Sequence, residues 1–454
     1  MPRSLIASVA VATVAVAVLS VCFAGADAAR TPKDVLVEVN ARIEREFISA
    51  DGLMLDYVGE IPSPEEIADL KPNAMGWWSP IENGSKFTGE WLPSLMAEGE
   101  ARKPLVERCV KGLLKMSEVS DVPGFIARGT GTDGVSHYPC GSNDQTDPWF
   151  LGLIEYCRWQ YADPKLKARV LDRLVIVAKA LEANQWGVPC DGAFKGENRG
   201  NLMSKSMPFW GRSRLMYMLK SLSLLTGDGH WEDVYQSVKA GALDAIEAGG
   251  EVDTKVFKTC YTKGVWIYVA SVQALARLVN LEGNESDRAR MKKGLLLFAS
   301  RVAPLMRQRV DYDNTFERPF KYANWRAGYN WRPQKTQKDA ESVAYSGNVK
   351  ILGERRNYER QRMSIPLAAA AICALSDRDR YREEILLTLR HYDYATPNLS
   401  EFFHAAIAAS SLWRAAVVFC AAAASKIENA EVRHLSISVA VGCIGNPLAH
   451  DAGR

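Results

Sequence analysis

The sequence predicts an all-α fold, an (α/α)6 toroid (a barrel of helical hairpins) with long active-site loops at one end. Apolar residues recur at intervals of three and four along about thirteen segments, and the alternation typical of strands is scarce. Short and long connections also alternate between these segments. In helical hairpins every second connection emerges at the same end, so we expect the long loops to share the functional face.

The predicted elements follow one another with little interruption. The helices are expected at 33–49, 87–98, 102–118, 147–161, 165–185, 208–226, 231–248, 261–280, 286–308, 338–352, 357–375, 378–391 and 399–424. The short connections are 99–101, 162–164, 227–229 and 282–284, whereas the long loops are 51–86, 119–146, 184–207, 250–259 and 310–337. No sequence repeat of fixed period favours an open solenoid.

The first 29 residues are typical of a secretory signal peptide. They contain Arg3, an apolar run over 5–23 and small residues near Ala28. This predicts a secreted or periplasmic protein. Residues 30–424 contain no Pro-, Ser- or Gly-rich linker and are expected to form one catalytic domain, followed by a C-terminal tail, 425–454, of unassigned role.

The charge balance argues against a nucleic-acid partner, because 56 basic and 53 acidic residues give a net charge of only +3. No stable membrane insertion is expected once the signal peptide is removed. The chain lacks a Walker loop, a dinucleotide-binding glycine motif after a strand, His-Glu-x-x-His and Gly-x-Ser-x-Gly. We therefore expect no cofactor and no protease chemistry.

The nine cysteines are widely spaced, without a Cys-x-x-Cys pair, so no metal site is predicted. Cys140 and Cys190 lie in long loops that should share a face. A disulfide between them is one alternative, and two separate buried thiols are the favoured one.

The first long loop places two indoles beside polar groups. Aromatic faces stack on sugar rings while carboxylate and amide groups bind hydroxyls, so this loop predicts a carbohydrate platform. The alternative is that one or both indoles only pack the loop. The candidate ligands are Trp77, Trp78, Glu82 and Asn83.

The second long loop carries candidate catalytic groups immediately before a helix. Thr146 or Asp147 is expected to cap that helix, which leaves Asp144 available as a general acid or base, or as a turn residue. Gln145 and Trp149 are the neighbouring candidates for substrate contact. An alternative chemistry is β-elimination, in which His137 or Tyr138 removes a proton from a uronic acid.

Asp191 in the third long loop is the proposed partner of Asp144. Two carboxyl groups in unlike environments can divide acid and base roles, although Asp191 before Gly192 also suits a turn.

A later segment, 321–332, is rich in aromatic, amide and guanidinium groups. Arg326 or Arg332 is expected either to bind a substrate carboxylate or to be a solvated charge. Glu401 is interpreted as a helix N-terminal charge, and His404 as structural. The further candidates for substrate contact are Trp325, Tyr329 and Trp331.

This hairpin arrangement, with Trp- and Asp-bearing loops around Asp144 and Asp191, resembles the six-hairpin glycosidase superfamily and, loosely, its unsaturated uronyl hydrolases. The resemblance implies that Asp144 or Asp191 protonates the sugar and activates water. The α/α-toroid polysaccharide lyases are similar through His137 and Tyr138. The leading hypothesis is a secreted glycoside hydrolase for acidic oligosaccharides or polysaccharides, and the alternatives are a lyase and a noncatalytic glycan-binding protein.

Overall fold

The computed structural model describes residues 30–203, 208–250, 265–315, 325–326, 331–346 and 350–413. This part of the chain is mostly helical, which confirms the all-α class. The predicted signal peptide, the C-terminal tail 425–454 and Tyr329 lie outside the described residues.

The α-helices are numbered here in chain order. They are α1 Pro32–Arg42, α2 Pro64–Ala68, α3 Gly84–Met96, α4 Lys103–Met116, α5 Asn143–Arg158, α6 Pro164–Ala183, α7 Ser213–Thr226, α8 Gly229–Ala240, α9 Leu243–Glu247, α10 Val269–Leu281, α11 Glu285–Val302, α12 Gln337–Ser346, α13 Lys350–Glu359, α14 Ile365–Ser376 and α15 Arg378–His391. Residues 404–413 are also helical.

The predicted short connections are present, and local capping explains them. Asp163 accepts a hydrogen bond from the Leu166 amide at the start of α6, with Pro164 at the first helical position. Asn284 accepts one from the Asp287 amide at the start of α11. Five residues separate α5 from α6 and three separate α10 from α11, so each connection is short enough to reverse the direction of the chain.

Several predicted boundaries were wrong. Helix α5 begins at Asn143 instead of 147, so Thr146 and Asp147 are buried helix residues and not caps. The predicted helix 231–248 is divided into α8 and α9 near Gly241. The helix predicted from 357 begins at Lys350 instead.

Burial alternates along the chain. One set of helices is buried on nearly all sides, and the helices between them bury one face only, as amphipathic helices do at a surface. The first set is α3, α5, α7, α10, α14 and residues 404–412; the second is α4, α6, α8, α11 and α15.

Helices α3 and α5 approach at two glycines. A Cβ on Gly89 would lie 2.0 Å from the Pro148 carbonyl oxygen, and one on Gly152 would lie 2.9 Å from the Gly89 Cα. Only glycine allows this contact between backbones. It places the charged residues of α3 beside the first turn of α5.

Two π-helical turns adjoin these buried helices. Pro208–Arg212 leads into α7, and Arg360–Ser364 joins α13 to α14. Single π-helical turns within α-helices often mark functional sites. These two turns carry Trp210 and Arg360.

The described strands form one small antiparallel pair, β1 Gly187–Pro189 with β2 Asn198–Asn201. An isolated antiparallel bridge pairs Cys140 with Cys190 beside them. Among the described helices, none has the length and apolarity that crossing a membrane requires.

Candidate functional site

A group of charged side chains meets between the buried helices, and we call it the central cluster. It comes from α3, α5, α7, the second π-helical turn and the segment that leads into helix 404–413. Its members are Lys86, Glu90, Asp144, Asp147, Arg214, Arg360, Glu401 and His404.

The innermost part is a lysine–glutamate pair on one face of α3. Lys86 Nζ donates to Glu90 Oε1, and both side chains are fully buried. His404 Nε2 lies 3.9 Å from Glu90 Oε2. Burial raises the pKa of Glu90 despite the opposing effect of Lys86, and burial lowers the pKa of His404 to about 3. His404 is therefore neutral at ordinary pH.

Arg214 joins two carboxylates on α5. Its Nη1 lies 3.3 Å from Asp147 Oδ2 and 3.6 Å from Asp144 Oδ1. The Asp147 side chain is 3% exposed and that of Asp144 is 35% exposed. Burial raises the pKa of Asp147 to about 7, although Arg214 opposes the shift. Asp144 Oδ1 itself is buried against Arg214 and accepts no hydrogen bond.

Indole rings lie against the cations of the central cluster. The Arg214 Cζ is 4.2 Å from the ring centroid of Trp210. The Trp266 ring has Lys86 Nζ at 5.1 Å and Arg360 Cζ at 4.8 Å. These distances are typical of cation–π contacts, which hold the rings and charges in fixed relative positions.

Arg360 holds the carboxylate of Glu401. Its Nε donates to Glu401 Oε1 at 2.9 Å, and its Nη2 donates to the same oxygen. Burial opposes ionisation of Glu401, but Arg360 outweighs it and lowers the pKa to about 2. The interpretation of Glu401 as a simple helix-end charge was therefore incomplete, because it is one half of a buried ion pair.

Several predicted ligands make internal contacts in a neighbouring network. Arg356 Nη2 donates to Glu82 Oε1 at 2.7 Å, and the Trp78 amide donates to Glu82 Oε2 at 2.9 Å. Asn83 donates from its amide and its side chain to Asp56, both at 2.7 Å. These bonds fix Glu82 and Asn83 within the fold.

Trp78 and Trp77 keep partly exposed rings. Trp78 has a left-handed backbone, φ 78°, and the Arg356 Cζ lies 5.1 Å from its ring centroid. A non-glycine residue in this region is strained, which is common at functional sites. Trp77 packs edge-on against Tyr345, with centroids 5.5 Å apart.

Two other predicted substrate contacts are core residues. Trp149 is fully buried and its Nε1 donates to the Leu113 carbonyl at 2.6 Å, so the prediction of a sugar platform there was wrong. Gln145 is also fully buried and accepts from the Lys86 amide at 3.1 Å. Both residues belong to α5, which is buried on nearly all sides.

His137 and Asp191 form a pair away from the central cluster. His137 Nε2 lies 2.8 Å from Asp191 Oδ2, and Nδ1 lies 3.0 Å from the Val135 carbonyl oxygen. Burial alone would raise the pKa of Asp191, but hydrogen bonds, that of His137 foremost, outweigh burial and lower this pKa. The pair lines a cavity of about 380 Å³ with Ile67 and Leu70.

The predicted carboxylate pair is not in contact. Asp144 contacts Arg214 and Asp191 contacts His137, and no hydrogen bond or ion pair within the described ranges joins the two carboxylates. Tyr138 is buried and its hydroxyl donates to the Lys71 carbonyl, so the structure contradicts its prediction as a base.

The segment near 325 is tied to the first long loop. Trp325 is buried and its Nε1 donates to the Glu60 carbonyl at 2.7 Å. Arg326 is ion-paired with Glu60 and Glu66. It is therefore occupied within the protein rather than available to a substrate carboxylate. Trp331 is 36% exposed and remains a candidate.

The residues that sequence reasoning missed are those of the buried helices. Lys86 and Glu90 stand four residues apart in an otherwise apolar segment, and this was the available signal for a buried ion pair. Trp210, Trp266 and Arg214 lie within apolar periodic segments and gave no comparable signal.

Comparison with protein-family models, with curated proteins and with solved structures gives no match for this chain. Within the described ranges, no three His, Cys, Asp or Glu side chains are grouped as metal ligands.

Proposed function

We propose that this protein is a secreted glycoside hydrolase that acts on an acidic oligosaccharide or polysaccharide, with Asp144 as its acid/base residue. One observation carries the proposal. Asp144 is 35% exposed, whereas the other carboxylates of the central cluster, Glu90, Asp147 and Glu401, are at most 3% exposed. Asp144 is thus the carboxylate of the cluster that a substrate can reach.

The environments of the carboxylates support a division of roles. Glycosidases use two carboxyl groups whose surroundings separate their pKa values. Asp144 is partly exposed beside Arg214, whereas burial raises the pKa of Glu90 and the charge of Asp144 adds to this shift. In this proposal Asp144 exchanges protons with the glycosidic oxygen or with water, and Arg214 is a positioning residue that fixes its carboxylate.

The aromatic residues near this carboxylate suit a sugar. Trp210 and Trp266 lie against cations of the central cluster and are partly exposed, as are Trp77, Trp78 and Trp331. An indole that presents one face to a guanidinium retains its other face for a sugar ring. We propose Trp210 and Trp266 as platforms in addition to Trp77, Trp78 and Trp331, which are three of the five tryptophans predicted from sequence.

The architecture that we propose is the (α/α)6 toroid. The alternation between fully buried and one-face-buried helices supports it, because a toroid has an inner and an outer ring of helices. The contacts of Glu90 with His404 and of Phe87 with Phe403 also bring helix α3 next to the last described helix. Such a contact between early and late helices is what closure of a ring requires.

The acidic substrate rests on the resemblance to uronyl hydrolases and not on the cluster itself. Arg214, Arg356 and Arg360 are each paired with a carboxylate of the protein. A neutral sugar therefore belongs in the test beside a uronate.

The test is turnover by the mature protein on uronate polysaccharides, their unsaturated oligosaccharides and neutral glycans. We expect new reducing ends, with a fall in ultraviolet absorbance where the substrate carries a C4–C5 double bond. Asp144→Asn should lower turnover by roughly 100-fold or more. Asp244→Asn, at a 99% exposed carboxylate, is the matched control and should retain it. Full turnover by Asp144→Asn would refute the assignment.

The lyase alternative rests on His137 beside its 380 Å³ cavity. Both ring nitrogens are within hydrogen-bonding distance of protein oxygens, those of Val135 and Asp191, so a substrate would have to displace one of these contacts. A rise in absorbance would nevertheless establish β-elimination. Glycan binding without turnover on any member of the panel would favour the noncatalytic alternative.

A further inference from the structure

Cys140 and Cys190 are a pair of buried thiols held opposite each other. Both are free and 0% exposed, and they are partners in an isolated antiparallel bridge. Their side chains lie in a small apolar cluster with Ala74, Met75 and Phe194. Such a pair is unusual among the described cysteines, since Cys109, Cys157 and Cys373 have no cysteine neighbour of this kind.

The register of this bridge is suitable for a covalent link. The Asp191 amide donates to the Pro139 carbonyl at 2.8 Å, so the hydrogen bond joins the flanking residues. Cys140 and Cys190 therefore occupy a non-hydrogen-bonded position of an antiparallel pair. At such a position the Cα atoms are about 4.5 Å apart and the side chains approach closely. This separation is within the range of disulfides, about 4.4–6.8 Å.

We propose that Cys140 and Cys190 form an intrachain disulfide that ties the loop of His137 to the loop of Asp191. His137 precedes Cys140 by three residues, and Asp191 directly follows Cys190, so the bond would fix both walls of the 380 Å³ cavity. This inference is independent of the proposed hydrolase activity, which is assigned to the central cluster.

The oxidant is a small disulfide such as oxidised glutathione, and the reaction is two-step thiol–disulfide exchange. The Cys140 thiolate attacks one sulfur of the oxidant and releases one thiolate. Cys190 then attacks the Cys140 sulfur and releases the second. The two thiol protons pass to the two released thiolates, so the protein loses two hydrogens while the oxidant is reduced. The Cys190 thiol, with Arg199 and Arg128, lowers the pKa of Cys140 against the effect of burial, which suits Cys140 as the attacking group.

The test is a peptide map of the full-length mature protein under non-reducing conditions, after oxidised glutathione or dithiothreitol. We expect a linked peptide that contains Cys140 and Cys190, two hydrogens lighter than the reduced pair. The bond closes a loop of about 50 residues, so oxidation should raise the melting temperature by roughly 4 °C.

The Cys140→Ala variant should lose this rise, whereas Cys373→Ala should retain it, because Cys373 is buried outside the pair. The peptide map uses the unsubstituted protein, so it tests the proposal even where a cysteine variant fails to fold. Complete alkylation of Cys140 and Cys190 after oxidation, or a linked peptide that joins either one to another cysteine, would overturn the proposal.

Discussion

Lys86→Met tests whether the centre of the molecule is an ionised pair. The substitution keeps an unbranched side chain of similar length and removes the charge that Glu90 faces. Breaking a fully buried pair leaves an uncompensated charge and costs about 3–5 kcal/mol. Both side chains are 0% exposed, so solvent does not screen this loss.

The loss of stability should depend on pH, because Glu90 becomes neutral when it binds a proton. Burial places its pKa above the ordinary value of 4.5, so between the two pKa values the folded state binds more protons than the unfolded state. Stability therefore falls as the pH rises through this interval, and removal of Lys86 extends the interval upward. We expect a loss of about 3 kcal/mol or more at pH 8 and about 1 kcal/mol at pH 5.

The assay is urea unfolding of the variant and the parent at both pH values. Lys103→Met is the matched control, since Lys103 and Glu107 have the same spacing on α4 but lie 3.8 Å apart and partly exposed. The Lys103→Met variant should lose no more than about 0.5 kcal/mol of its free energy of unfolding. Adding Glu90→Gln to Lys86→Met should recover much of the loss. Equal losses for the two lysine variants at pH 8, or a loss independent of pH, would refute the reasoning.

Two further predictions concern the helices that carry the central cluster. Gly89→Ala should cost about 2 kcal/mol or more, because its Cβ would lie 2.0 Å from the Pro148 carbonyl oxygen, whereas Gly283→Ala, with open space around it, should change stability little. Equal melting temperatures for these two variants would contradict the close contact. Asp147→Asn should remove part of the pH dependence of unfolding. Burial raises the pKa of Asp147 from 3.8 to about 7, so the unmodified protein loses stability as the pH rises across that interval. Parallel urea midpoints for variant and parent between pH 4 and pH 8 would show that Asp147 does not titrate there.

The helical class was predictable because amphipathic spacing is a local property of the chain. Helices such as α6 and α15 show it clearly, and turn residues such as Asp163 and Asn284 mark where the helices begin. The start of α5 was misplaced because a strong local signal, Asp147 before Pro148, suggested a cap. Tertiary packing against α3 instead buries that aspartate.

The candidate site was less predictable, because most of its contacts join residues far apart in sequence. Glu90 and His404 are 314 positions apart, and Arg360 reaches Glu401 from a different helix. Asp144 could be selected as an unexplained carboxylate near a helix start. The residues that surround Asp144 could not be selected, since a charged residue inside an apolar segment predicts a contact but does not identify the partner.

The π-helical turn at Arg360–Ser364 has a consequence for tolerance of deletions. A turn closed by i→i+5 bonds holds one residue more than an α-turn, and each residue turns an α-helix by about 100°. Deleting one residue here would restore a regular α-turn and leave the facing of α13 and α14 nearly unchanged, whereas deleting one residue of α13 after Arg356 would rotate Arg356 relative to α14 by roughly that angle. In that second case Arg356 would leave Glu82 while the buried face of α14 stayed in place. The π-helical turn is thus the place in this continuous helix where the loss of one residue would keep the charged half and the apolar half facing as they do now.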